Sequence, residues 1–189
     1  MKKIAFLILA LFLFSCSDSE WEATKTTSTN NWLKIYESGE NFSIKTPENW
    51  QILENPENSL PKPKNWEIEF AVTSKTDKSG FYNNLIILSE NLNLDISASD
   101  YLTSAILNLW NDFYDFSEIA NSDFTFESWN VSKLTIFEAR YDQKTPKLKY
   151  LQTAEICDNK AYLITLAIAH NTENIEKYNP LLASFKCKK

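Results

Sequence analysis

"KAYLITLAIA", residues 160–169, decides how this chain must fold. From Ala161 to Ala169 the apolar side chains fall on odd and even positions alike. Successive side chains of a strand point to opposite faces, so a segment apolar on both faces needs cover on both. Leu85 to Leu88 has the same character and reads as a second interior strand. Immediately upstream of residue 160, Asp158-Asn159 makes a tight turn out of a strand over Leu148 to Ile156. Downstream, Ile175, Tyr178, Leu182 and Phe185 recur at helical steps. Pro180 either kinks that final helix or opens a shorter one with Asn179 as its cap.

Further out, Val131 to Tyr141 and Phe124 to Trp129 are strand candidates, divided near Asn130 and closed at "DQKTP". Tyr101, Leu102, Ala105, Ile106, Leu109 and Trp110 form an apolar stripe along one helical face, with Ser97 or Ser99 as the cap. "NDFYDF", residues 111–116, frays the end of that helix. Nearer the start, Trp32 to Tyr36 and Phe42 to Lys45 read as short strands around "ESGEN", where Gly39 supplies the turn and Pro47 stops the second strand. Residues 54–65 form a proline-broken loop. Trp66, Ile68, Phe70 and Val72 then alternate with Glu67 and Glu69 as a half-exposed strand. Strand runs interrupted by two helices belong to the α+β class, with a mainly antiparallel sheet flanked by helices on both faces.

The N-terminus has a different character. Lys2 and Lys3 precede an unbroken apolar run from Ile4 to Phe14, too short for a spanning helix, which needs roughly 20 apolar residues. A basic start, a short apolar middle and a small residue at the exit mark an export signal. Leu13-Phe14-Ser15-Cys16 resembles the lipobox of bacterial lipoproteins, although Phe14 is bulkier than the residue usual at its place. The resemblance implies cleavage before Cys16, diacylation of its thiol and acylation of the new amino group, with residues 1–15 as the signal peptide. A cleaved secretory signal followed by an incidental cysteine is the other reading. Several acyl chains anchor stably where one binds only marginally. Residues 16–31 are polar and acidic and read as a tether, because such composition buries too little apolar surface to order itself. The "SDSEWE" after Cys16 resembles surface-export signals of some Gram-negative lipoproteins and suits a solvated linker equally well. The expected location is the bacterial cell envelope, membrane-anchored and facing outside the cytoplasm.

Without residues 1–15, the 19 basic residues less Lys2 and Lys3 stand against 25 acidic ones, a balance of −8. That charge argues against nucleic acid as a partner, since such binding is dominated by basic contacts to phosphate. Residues 32–189 are long enough for one domain with a full core. Twelve Phe, eight Tyr and six Trp against two Gly indicate dense packing with few left-handed turns.

Beyond Cys16 the chain has Cys157 and Cys187, an even pair that can bond in an oxidising compartment. Cys157 lies at the turn into strand 160–169, which is ~33 Å long. A final helix of about fourteen residues returns ~21 Å along it, and an extended tail adds more, so Cys187 ends near Cys157. A bridge or two free thiols both remain open.

No catalytic or metal-ligating set emerges. His170 is the single histidine, and without a nucleophile elbow or a Cys-x-x-Cys it reads as structural or surface rather than catalytic or metal-binding. Gly39 and Gly80 are too far apart to cradle a phosphate. Glu67 with Glu69, and Asp112 with Asp115, offer carboxylate pairs, but a solvated acidic face accounts for them. Trp50 and Trp66 flank the proline loop; they pack in the core or line a partner-binding groove, and they are the candidate partner-binding residues.

Taken in order, "NFSIKTPENWQI" (41–52), "NLIIL" (84–88), "SASDYLTSAI" (97–106), "KAYLITLAIA", "NTENIEKY" (171–178) and "LLASF" (181–185) resemble the PsbP/Mog1-like fold, which includes bacterial lipoproteins related to DcrB. The resemblance implies an antiparallel sheet sandwiched between helices. Plant members of that fold assist the oxygen-evolving photosystem, a yeast member binds a small GTPase, and none is known chiefly as an enzyme. No family site carries over to this chain. The expectation is a non-enzymatic envelope lipoprotein, without cofactor, that binds a protein or assists a complex. The alternative is a small-ligand or lipid carrier with an aromatic-lined cavity.

Overall fold

The structure, a computed structural model, describes residues 32–39, 41–54, 56, 60, 65–75, 81–110 and 112–188. The expectations for residues 1–31, Cys16 among them, for Gly80 and for most of the proline loop lie outside these residues.

In chain order come β1 (Leu33–Ser38), β2 (Phe42–Pro47), β3 (Trp50–Ile52), β4 (Glu67–Ser74), β5 (Asn84–Asn91) and helix α1 (Ala98–Trp110). They are followed by β6 (Tyr114–Thr125), β7 (Val131–Arg140), β8 (Leu148–Cys157), β9 (Lys160–Ala169), a 3₁₀ turn (Glu176–Tyr178), α2 (Asn179–Ala183) and β10 (Lys186–Cys187). Seven strands make one antiparallel sheet in the order β3-β4-β5-β9-β8-β7-β6, and β1-β2-β10 make a second. Both two-faced strands, β5 and β9, lie inside the large sheet and pair with each other.

On β9, Tyr162, Ile164, Leu166 and Ile168 enter one core, while Ala161, Leu163 and Ala167 enter the other. Helix α1 covers the second core with Tyr101, Leu102, Ala105 and Ile106. Its first turn is closed by Ser97, whose Oγ accepts from the Asp100 amide at 3.1 Å and donates to Asp100 Oδ2 at 2.7 Å. The first core is covered by the small sheet through Phe42 and Ile44, and by Tyr178, Leu181, Leu182 and Phe185. Each fully buried Phe or Leu contributes about 1.5–3 kcal/mol.

Three expectations change. The second face carries a three-stranded sheet with one short helix, because Pro180 at the start of α2 limits the terminal helix to five residues and Tyr178, not Asn179, is its cap. Residues 114–116, expected in the frayed helix end, and 117–123, for which no element is expected, belong to the edge strand β6. Most of its side chains face water, so it lacks the apolar alternation that marks a strand. In β4 a register shift between Ile68 and Phe70 switches faces: Trp66 packs on the α1 side, whereas Phe70 and Val72 pack on the other.

Candidate functional site

The switch in β4 separates the two tryptophans expected to share a groove. Trp50 is buried in the first core beside Tyr178, their rings 6.5 Å apart. Trp66 belongs to the opposite face, where its indole Nε1 donates to Tyr101 Oη at 2.8 Å and the Tyr101 hydroxyl bonds Glu90. Burial, then the bond to Glu90, pushes the Tyr101 hydroxyl well above the ordinary range, so it stays protonated and relays the chain.

Cys157 and Cys187 are joined, with Cα atoms 5.6 Å apart. The return path differs from the long helix expected: the 3₁₀ turn and short α2 bring the chain round, and β10 then pairs with β2 at Phe42 and Ser43. His170 is exposed, its Nδ1 3.1 Å from Glu138. Glu69 accepts from Ser89 Oγ and pairs with Lys160, Asp115 pairs with Arg140, and Asp112 is exposed. Among the described residues no group of three or more His, Cys, Asp and Glu is placed to hold a metal, and no helix is long and apolar enough to cross a membrane.

The turn joining β6 to β7 stands out for its backbone. Trp129 N donates to Phe126 O at 2.9 Å and Phe126 N donates to Asn130 O at 3.0 Å, which closes a tight turn and leaves Trp129 at φ 70°. This left-handed position normally takes Gly or Asn. The other described non-glycine residues with positive φ are both Asp, at 115 and 158, which tolerates that region. Trp129 does not, and it gains no packing in return, because it is 85% exposed. Two anchors fix the turn. Glu127 N donates to Ala183 O at 2.8 Å at the end of α2, and Asn130 Nδ2 donates to buried Glu155 Oε1 at 3.0 Å.

Beside Trp129 lies a cleft of about 250 Å³ lined by Ile35, Lys45, Glu127, Ser128, Ser184 and Lys186. Lys45 Nζ meets both Glu127 oxygens, at 2.7 and 2.8 Å, and its backbone N donates to Ser184 Oγ at 2.8 Å. Ile35 and Val131 add exposed apolar surface. The sequence suggests none of this, because only the strand pairing places Trp129 at the left-handed corner.

No protein-family model matches the chain, and no curated protein matches it. Its fold is PsbP-like. The chain superposes on the solution structure of cyanobacterial PsbP (CyanoP) from Synechocystis sp. PCC 6803 with a TM-score of 0.54 at 12% identity, over 82% of this chain and 92% of that one. A Pseudomonas aeruginosa protein of unknown function, PA94, is similar at a TM-score of 0.49 and 13% identity, over 78% and 89% of the two chains. A Bacteroides thetaiotaomicron structure matches at 0.48 and 10% identity, over 84% of this chain and 49% of its own.

Proposed function

We propose that this chain is a lipid-anchored envelope lipoprotein whose domain is a non-catalytic accessory module that binds another protein through the turn around Trp129. Trp129 carries the reading. A backbone conformation that disfavours Trp by about 1–2 kcal/mol is kept for a side chain that does nothing for the core. The two anchors fix the backbone from which the indole projects, which lowers the backbone entropy lost when a partner closes over it. Tryptophan is among the residues that dominate interface energy. The fitting partner offers an apolar pocket for the indole and acidic groups toward exposed Lys186. One member of each carboxylate pair that an enzyme would use is instead ion-paired, Glu69 with Lys160 and Asp115 with Arg140.

The test uses tagged full-length chain recovered from detergent-solubilised envelopes. A defined protein is retained by the natural chain and lost, by about thirtyfold in affinity, with Trp129→Ala. Equal retention by both chains, or none by either, contradicts the proposal.

A further inference from the structure

On the other face of the large sheet, a second cleft of about 290 Å³ opens between α1, the segment that links β5 to α1, and Trp66. Three segments build it, Trp66 being distant in sequence from the other two, and each is held in place. The linking segment is tied down where Leu92 N donates to Asn159 O at 2.6 Å, and α1 is capped by Ser97. Trp66 is held by its bond to Tyr101.

The chemistry of the lining is uneven in an informative way. The indole N–H and the phenol are satisfied by one another and by Glu90. Asn91, Asn93, Ser104 and Asn108 line the same cleft, and none of their side chains bonds a described residue. Three amides and a hydroxyl supply donors and acceptors side by side. The apolar part comes from Trp66, Leu92, Ile96 and Leu94, the last 79% exposed.

These features select among ligand classes. Among the described residues no Lys or Arg lines the cleft, so an anion finds no counter-charge there. An alkyl chain would cover four polar groups without replacing their water hydrogen bonds, which is unfavourable. The one carboxylate among the described lining residues, Glu90, already accepts from Tyr101, which leaves it less suited to an ammonium group. A volume at the low end of the range for small-molecule sites fits a single ring. A sugar has hydroxyls that both donate and accept, and a C–H face that packs on aromatic and aliphatic surface.

We propose that this cleft binds a neutral pyranose sugar, with its hydroxyls on Asn91, Asn93, Ser104 and Asn108 and its C–H face against Trp66 and Leu94. The site is separate from the Trp129 surface and does not depend on that reading.

Nuclear magnetic resonance of the mature full chain, kept in a detergent without a sugar headgroup, tests it. Glucose, galactose, mannose and N-acetylglucosamine are titrated separately into the millimolar range. At least one sugar gives saturable shifts of the Trp66 indole N–H and of the Asn93 and Asn108 side-chain amides. Asn93→Ala and Asn108→Ala, both at exposed positions, each weaken binding about fivefold and leave the rest of the spectrum unchanged. Three results overturn the proposal: no saturable shift with any of the four sugars, saturation of the same resonances by methylammonium or acetate instead, or sugar binding that neither substitution weakens.

Discussion

Trp129 and Glu155 are linked through Asn130, one end exposed at 85% and the other buried at 4%. The two ends make opposite predictions. At Trp129 the strain is local, so Trp129→Gly raises stability by about 0.5–1 kcal/mol, while Trp129→Ala, which keeps a Cβ and removes no packing, changes it by less than about 0.5 kcal/mol. Chemical denaturation of the three chains measures this. A loss of more than about 1 kcal/mol in either variant would mean that the indole packs after all. At Glu155, burial raises the carboxyl above its ordinary 4.5, against the donations from Asn130 and the Ile156 backbone. Below 4.5 both states hold the proton and the contribution of this group to stability is at its highest. As pH rises from there through the folded value, the unfolded chain releases its proton first, so stability falls across that window and then levels off. Glu155→Gln removes this fall. Denaturation between about pH 4 and pH 7 shows a flatter profile for the variant than for the natural chain, and parallel profiles would place the carboxyl in water.

Helices and strands respond to single changes by larger amounts. The Cys157–Cys187 bridge closes a separation of 30 residues and staples β10 to the end of β8. Reduction, or Cys187→Ser, lowers stability by about 3 kcal/mol, read as a shift of the denaturation midpoint with and without reductant. Ser97→Ala removes the cap of α1 and costs about 1 kcal/mol. Much at this scale was legible in the residues. The apolar runs of β5 and β9 announce burial on two faces, and the stripe from Tyr101 to Ile106 announces a helix on one of them. What was not legible depends on pairing. Edge strand β6 shows water to most of its side chains, so its apolar residues have no period. The shift at Glu69 sends Trp66 and Phe70 to opposite faces although they alternate perfectly in sequence. Asn91 and Asn108 meet across one cleft only because α1 folds back over the end of β5.

At the scale of the whole molecule, the proposed reading requires that an acidic domain bearing an exposed indole be kept near its partner. On the proposed reading, a chain without residues 1–15 has a balance of −8 that repels anionic lipid, so acyl chains at Cys16 would do all the anchoring. Metabolic labelling with a palmitate analogue should mark the natural chain, and Cys16→Ser should be unlabelled and leave the membrane fraction. Labelling that survives the substitution would put the lipid elsewhere. The central claim, that the turn at Trp129 is where another protein docks, is tested most directly by replacing single residues with a photoreactive amino acid and irradiating intact cells. Position 131, exposed at 62% next to the turn, leaves Trp129 in place and is compared with Tyr82, which is also exposed, at 56%. One discrete cross-linked product is predicted from position 131 and none from position 82; no product at 131, or the same product from both, would contradict the claim.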